Sequence, residues 1–214
     1  MNNITATWQE NQGSGANFTE VGALTDGTDI VLTRNNMTLI SETSTASASP
    51  DNAHIALFNE EVDALTLDTD IMAWASRSKQ TVTATNATNV LNATAHGLSN
   101  GDRVMLTTTA TDLPAGLTSE PVYYVVNKTT NTFQVSATSG GSAVAFTDDG
   151  TGTHSVRVVT KAALVDRGDF ETGKATLSAL VDISGQPTDT DMSLIVQTKN
   201  NKGTKLHGMS MQYT

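Results

Sequence analysis

The chain of 214 residues contains no cysteine. That excludes a disulfide framework, a thiolate metal site and a cysteine nucleophile. Proline is scarce, at 4 residues, and aromatic residues make up only 5%. Basic residues are outnumbered, 12 Lys+Arg against 22 Asp+Glu, for a formal net charge of -10. A surplus of that sign repels a phosphate backbone, so no nucleic acid partner is expected. No apolar run approaches the roughly 18 residues of a membrane helix, so no membrane partner is expected either. The start, Met1-Asn2-Asn3-Ile4-Thr5, has neither the basic region nor the apolar region of a signal peptide.

Hydroxyl and amide side chains fill the space left by charge. There are 36 threonines, 17 serines and 16 asparagines, and only 16% of the residues are charged. Threonine is β-branched and stiff at χ1, which favours a pleated strand over a helix. No segment carries the i, i+3, i+4, i+7 apolar spacing of an amphipathic helix. Asn59 to Thr69 comes nearest, but Leu65 and Leu67 alternate, so it reads as a turn and then a strand, Ala64 to Leu67.

Short alternating runs recur along the chain. They are Asp29 to Leu32, Met37 to Ile40, Ala53 to Phe58, Ile71 to Ala75, Ala162 to Val165, Ala175 to Ile183, Met192 to Thr198 and Leu206 to Met211. The separators include Arg167-Gly168-Asp169, Gly185-Gln186-Pro187 and Asn200-Asn201-Lys202-Gly203, all rich in residues that form turns. The Arg-Gly-Asp tripeptide is read as such a turn. Between Gln80 and Val159 lies a second set of about six short strands, including Val144 to Phe146, enough for a small barrel. Residues 79–159 carry four basic against five acidic side chains, so nearly all of the net charge falls on the remainder.

The expectation is an all-β chain. A β-sandwich (jelly-roll-like) host spans 1–79 plus 160–214, and a small β-barrel-like domain, 80–159, is inserted in a hairpin. Hairpin tips tolerate such insertions because loop closure cost grows slowly with length. The expected host core is Ile30, Leu32, Leu39, Ile55, Leu57, Leu65, Leu67, Ile71, Trp74, Leu164, Leu177, Ile183, Leu194, Val196, Leu206 and Met209. Ile71 with Trp74, and Leu206 with Met209, break the alternation, which suggests a bulge or a displaced strand end at each.

Chemistry is sparse. There is no G-x-S-x-G elbow, no H-E-x-x-H pair and no P-loop. His54, His96, His154 and His207 lack metal-motif spacing and read as surface or turn residues. Two D-T-D patterns, Asp68 with Asp70 and Asp189 with Asp191, are weak Ca²⁺ candidates, because alternate residues of a strand share a face. The alternative is that these aspartates terminate strands and cap turns. No catalytic pair and no cofactor are expected. Trp8, Phe18, Tyr123 and Tyr124 are candidate interface residues. Tyr123 and Tyr124 point to opposite faces of one strand.

Two sets of sequence blocks then point to a family. H-G-L-S-N-G-D-R-V from His96, L-P-A-G-L from Leu113, Y-Y-V-V-N from Tyr123, T-F-Q-V-S-A-T from Thr132 and D-D-G-T-G-T-H from Asp148 resemble a small β-module of tailed-bacteriophage structural proteins. A-W-A-S-R-S from Ala73, D-R-G-D-F from Asp166, V-D-I-S-G-Q-P-T-D-T-D-M from Val181 and L-H-G-M-S-M-Q from Leu206 resemble a β-sandwich module of phage virion and tail proteins. In that module S-R runs straight into the next strand, whereas here about 80 residues intervene. The resemblance implies a non-enzymatic virion structural protein, assembled in the host cytoplasm and carried on the virion. A capsid decoration (cement) protein is favoured. Its partners would be itself, as a homo-oligomer with a trimer favoured, and the major capsid protein or other virion proteins. The alternative is a tail-fibre or baseplate module that binds host-surface glycans.

Overall fold

Threonine-rich alternation yields strands throughout, and the computed structural model is all-β. It describes residues 6–8, 30–32, 37–41, 43–110, 112–119, 121–170 and 173–214, the first two stretches by their backbone alone. The chain divides into two compact units. One holds Met1–Ala75, Thr160–Ser184 and Thr190–Thr214, and the other Ser76–Val159 and Gly185–Asp189. The second unit therefore begins four residues before the expected insertion, shares its end at Val159, and takes in a short loop from the later sequence.

The first unit contains strands β1 (Ala6–Trp8), β2 (Ile30–Leu32), β3 (Thr38–Ser41), β4 (Ser44–Thr45), β5 (Asn52–Glu61) and β6 (Ile71–Ser76). After the insertion come β13 (Thr160–Ala162), β14 (Leu164–Phe170), β15 (Gly173–Ser178), β16 (Val181–Asp182), β17 (Asp191–Thr198) and β18 (Thr204–Tyr213). Early strands pair antiparallel with late ones in nested order: β2 with β18, β3 with β17, β5 with β15 and β6 with β13. The unit is thus one long hairpin rolled into two sheets. Their orders contain β2-β18-β5-β15 and β3-β17-β6-β13, the winding of a jelly roll. β14 extends the first sheet and β1 the second. The tip of the long hairpin lies between β6 and β13, where Ala75 and Thr160 are direct cross-strand partners. The barrel is inserted at that tip.

Alternation decides what is inside. Ala53, Ile55 and Leu57 of β5 join Leu39, Ile71, Leu164, Ile183, Leu194, Val196 and Leu206 in one core, with Leu65, Leu67 and Met209 packed against it. Leu206 and Met209 lie on either side of a register shift in β18, which restores Met209 to the inner face. Trp74 is buried but faces away from Ile71. Its indole Nε1 donates to Gln197 Oε1 at 3.0 Å, and Gln197 Nε2 donates to Thr38 Oγ1 at 3.0 Å. Both faces of β6 are buried, which is why its sequence does not alternate. The side chains of Ile30 and Leu32 lie outside the described residues.

In the first unit, four expectations need correction. Leu177 is exposed on the outer face of β15. Arg167-Gly168-Asp169 is not a turn between strands but a bulge within β14, where Gly168 adopts φ +105° and the register shifts between Asp166 and Asp169. Ala175 to Ile183 is broken into β15 and β16 rather than forming one strand. Ala64 to Leu67 contributes only an isolated bridge from Leu67 to Ile71.

The second unit contains β7 (Gln80–Thr85), a 3-10 turn (Asn86–Thr88), β8 (Val90–Asn92), β9 (Arg103–Thr108), β10 (Tyr123–Val126), β11 (Thr132–Ser136) and β12 (His154–Val158). Its six strands close into a barrel in the order β10-β11-β8-β7-β12-β9. Closure leaves no free edge and fills the interior with side chains. Phe133, Val125, Leu91 and Val104 are among the most buried of these. The sequence expectation missed β8 and placed a strand at Val144 to Phe146, which forms none. There Phe146 is held in the core by its backbone N–H, which donates to Asn89 Oδ1 at 2.8 Å. Arg77 fastens the added loop: its N–H donates to Gln186 Oε1 at 2.8 Å and its Nε to Pro187 O at 3.2 Å.

Candidate functional site

The carboxylates are the natural place to look for chemistry, and several of the described ones are engaged in holding turns. Asp68 sits in the left-handed region, at φ +64°. Both of its oxygens accept from the N–H of Leu164, at 3.3 and 3.2 Å, and its carbonyl accepts from Lys161 Nζ at 2.6 Å. Asp70 is buried. It accepts from Asn200 Nδ2 and from the N–H of Thr66, each at 2.8 Å. These bonds, Asn200 first and Thr66 next, hold its carboxyl below the ordinary carboxylate range. The first D-T-D pair thus fastens the turn before β6 to β14 on one side and to the β17–β18 turn on the other. That second turn is Lys199 to Lys202, with φ positive at Asn200 and Asn201, a type I′ hairpin. In the second pair, Asp191 opens β17 opposite Thr45, while Asp189 lies in the loop that joins the barrel unit. Among the described residues no three His, Cys, Asp or Glu side chains are gathered to hold a metal.

The barrel uses its acids similarly. Asp148 Oδ1 accepts from Ala115 N and Gly150 N, both at 2.9 Å, and Asp149 Oδ1 accepts from Asn86 N at 2.6 Å. Asp102 accepts from Ser99 N at 2.7 Å, and burial pushes its carboxyl up.

Two histidines are not surface residues. His96 is buried, its Nδ1 accepting from Leu98 N at 2.9 Å, and its ring meets Phe133 edge-on at 5.3 Å. His154 is buried with Nε2 2.9 Å from Asp149 O. His96 enters the core because backbone groups meet both of its nitrogens, Nε2 lying 3.3 Å from Thr132 O, and its ring packs on an aromatic, whereas His154 Nδ1 is buried without a hydrogen-bond partner. The signal in the sequence was the histidine's place two residues before the apolar Leu98, where Nδ1 reaches the backbone of a turn. His54 and His207 remain on the outer face of the first unit.

Of the interface candidates, Tyr123 is buried in the barrel core and its hydroxyl accepts from Thr118 N at 2.9 Å. It is therefore unavailable for contact. Tyr124, on the opposite face of β10, is half-buried and reaches the surface. Trp8 lies in β1, but its side chain, like all of Phe18, falls outside the described residues.

Two surfaces stand out instead. The barrel exterior is a polar ladder: Thr83, Asn92 and Thr132 share one row across β7, β8 and β11. Asn92 Nδ2 bonds Thr83 O and Thr85 Oγ1, and Asn127 Nδ2 bonds Gln134 Oε1 at 2.7 Å. The outer face of the β14-β15-β5-β18 sheet is apolar at its centre. There Val165, Leu177, Ala56 and Ser210 form one cross-strand row, and Ala175, Phe58 and Gly208 the next. Sequence reasoning missed this face because Leu177 lies between Thr176 and Ser178, which look like surface residues and are in fact buried. Ser178 Oγ accepts from Ile55 N at 2.8 Å, a polar group satisfied inside. The packing of Leu164 inward turns Val165 outward, and Val165 carries its partner Leu177 with it. No protein-family model, no curated protein and no solved structure matches this chain.

Proposed function

We propose that the chain is a bacteriophage virion structural protein, a capsid decoration (cement) protein that coats or stabilises the head through protein–protein contacts. One observation supports the reading beside the sequence resemblance: Asp68, Asp70, Asp102, Asp148, Asp149, His96 and His154 are engaged with backbone groups of the fold, within a jelly roll whose hairpin tip carries a closed barrel. Jelly rolls occur in viral capsids and in lectins. On this reading the protein needs no cofactor, assembles with itself, a trimer being favoured, and sits on the capsid after assembly in the host cytoplasm. A tail-fibre or baseplate module binding host glycans is the second reading. The ladder of Asn92, Asn127, Gln134 and the threonines beside Tyr124 favours it, since amide and hydroxyl groups match sugar hydroxyls.

Stoichiometry in purified particles separates the two. Hundreds of copies per particle are expected for a decoration protein, and a handful for a tail module. Particles lacking the protein should lose capsid stability and keep adsorption. Normal stability with failed adsorption would overturn the decoration reading.

A further inference from the structure

We propose that Arg167-Gly168-Asp169, on the bulge of β14, is a recognition element for a receptor that offers an acidic pocket to the guanidinium and a bound divalent cation to the Asp169 carboxylate. The bulge is well defined. Asp166 pairs with Thr176 and Asp169 with Lys174, so Arg167 and Gly168 together oppose Ala175 alone. β14 is the end strand of its sheet order, and a bulge at a sheet edge re-aims side chains away from the ladder. Asp166 Oδ1 accepts from Gly168 N at 2.8 Å, which pins the backbone there. Gly168 has φ +105°, a conformation that glycine adopts at little cost, and a Cβ on it would meet open space. The glycine thus answers to the backbone rather than to packing.

The two flanking charges answer to neither. Arg167 and Asp169 are exposed, and among the described residues neither side chain has a hydrogen bond or an ion pair. Lys174, the cross-strand partner of Asp169, is already held by Glu61 at 3.3 Å and by Asp166 at 3.6 Å. Other basic side chains of this acidic chain are engaged within the fold: Lys205 with Glu60, Lys161 with Asp68 and Arg77 with Pro187 O. The bulge therefore displays a free guanidinium and a free carboxylate two residues apart, with at most about 7 Å between their Cα atoms.

That pairing indicates the partner. A guanidinium is best met by a carboxylate, which it can bind with two parallel hydrogen bonds. A lone exposed carboxylate holds a divalent cation weakly, because such ions take several oxygen ligands. It can instead complete a coordination sphere that a partner has begun. A polyanion would take Arg167 and repel Asp169, and a basic surface would do the reverse. A receptor with an acidic pocket beside a metal site engages both.

This goes beyond the virion reading and does not rest on it. The full chain is immobilised and exposed to the purified ectodomain of an integrin that binds Arg-Gly-Asp peptides, and surface plasmon resonance is recorded in millimolar Mn²⁺. Binding should saturate, vanish in EDTA and be displaced by a free Arg-Gly-Asp peptide. Asp169→Glu keeps the charge and moves the carboxylate out by one methylene. It should weaken binding by about tenfold or more, with unchanged circular dichroism and Tm, since the fold gives that side chain no partner. Arg167→Gln should weaken it likewise. Absence of binding in Mn²⁺, binding that persists in EDTA, or binding that Asp169→Glu leaves intact would each overturn the proposal.

Discussion

Replacing Asp68 separates a structural aspartate from a calcium ligand. Its carboxylate accepts the N–H of Leu164 with both oxygens, at 3.3 and 3.2 Å. Removing it leaves that buried N–H without its acceptor, a loss of about 1–3 kcal/mol. Asp68 also has φ +64°, a conformation that aspartate and asparagine tolerate and that costs alanine about 1 kcal/mol more. The ion pair with Lys161, at 4.0 Å and about one-third exposed on each side, adds less than about 1 kcal/mol. Asp68→Ala should therefore destabilise the protein by about 2–4 kcal/mol, a fall of about 5–15 °C in Tm for a chain of this size. Asp68→Asn keeps one oxygen and the backbone tolerance, and should lose less than half as much. Thermal melts followed by circular dichroism, with and without millimolar Ca²⁺, read both. The structural account predicts the same wild-type Tm in each buffer. A wild-type Tm that rises with Ca²⁺ and an Asp68→Ala Tm that does not would refute it, as would an Asp68→Ala variant within about 0.5 kcal/mol of wild type, the range of an ordinary surface substitution.

Further expectations follow from burial and connectivity. Leu194→Ala, in the sandwich core, should cost about 2–5 kcal/mol, whereas Leu177→Ala on the outer face should cost under about 1 kcal/mol; urea melts compare them, and equal losses would place Leu177 inside. Phe133→Ala in the barrel should cost about 3–5 kcal/mol, seen as lost hydrogen-exchange protection over β10 and β11. Replacing residues 76–159 by Asn-Gly should leave a folded jelly roll, because Ala75 and Thr160 are already cross-strand partners and a two-residue type I′ turn spans that gap; a chain without cooperative unfolding would refute this. The Asp70 carboxyl is held below its ordinary value of 3.8. Its charged form therefore stabilises the fold at neutral pH, and that contribution is lost as pH falls below the ordinary range. Asp70→Asn should flatten the loss of stability on acidification, and an unchanged acid transition would contradict the assignment.

Several features were readable in the residues alone because they depend on local chemistry. Threonine-rich alternation specified strands, Asn200-Asn201 specified a tight hairpin, and the broken alternation at Leu206 and Met209 marked a bulge. The near-neutral charge of residues 79–159 set that segment apart from its acidic flanks. Other features depended on which strands meet. Leu177 and Leu164 look alike in sequence, and only pairing across β14 and β15 sends one out and the other in. Trp74 and Gln197 become one buried hydrogen-bonded row only when β6 lies beside β17. Asp68 and Asp70 look like a possible ligand pair until the fold brings Leu164 and Asn200 to them, residues 96 and 130 positions away. Local propensity fixes the element, since it acts over neighbouring residues. Which polar group is satisfied, and which apolar face remains open, is settled by contacts distant in the chain, and these exist only once the long hairpin has rolled up.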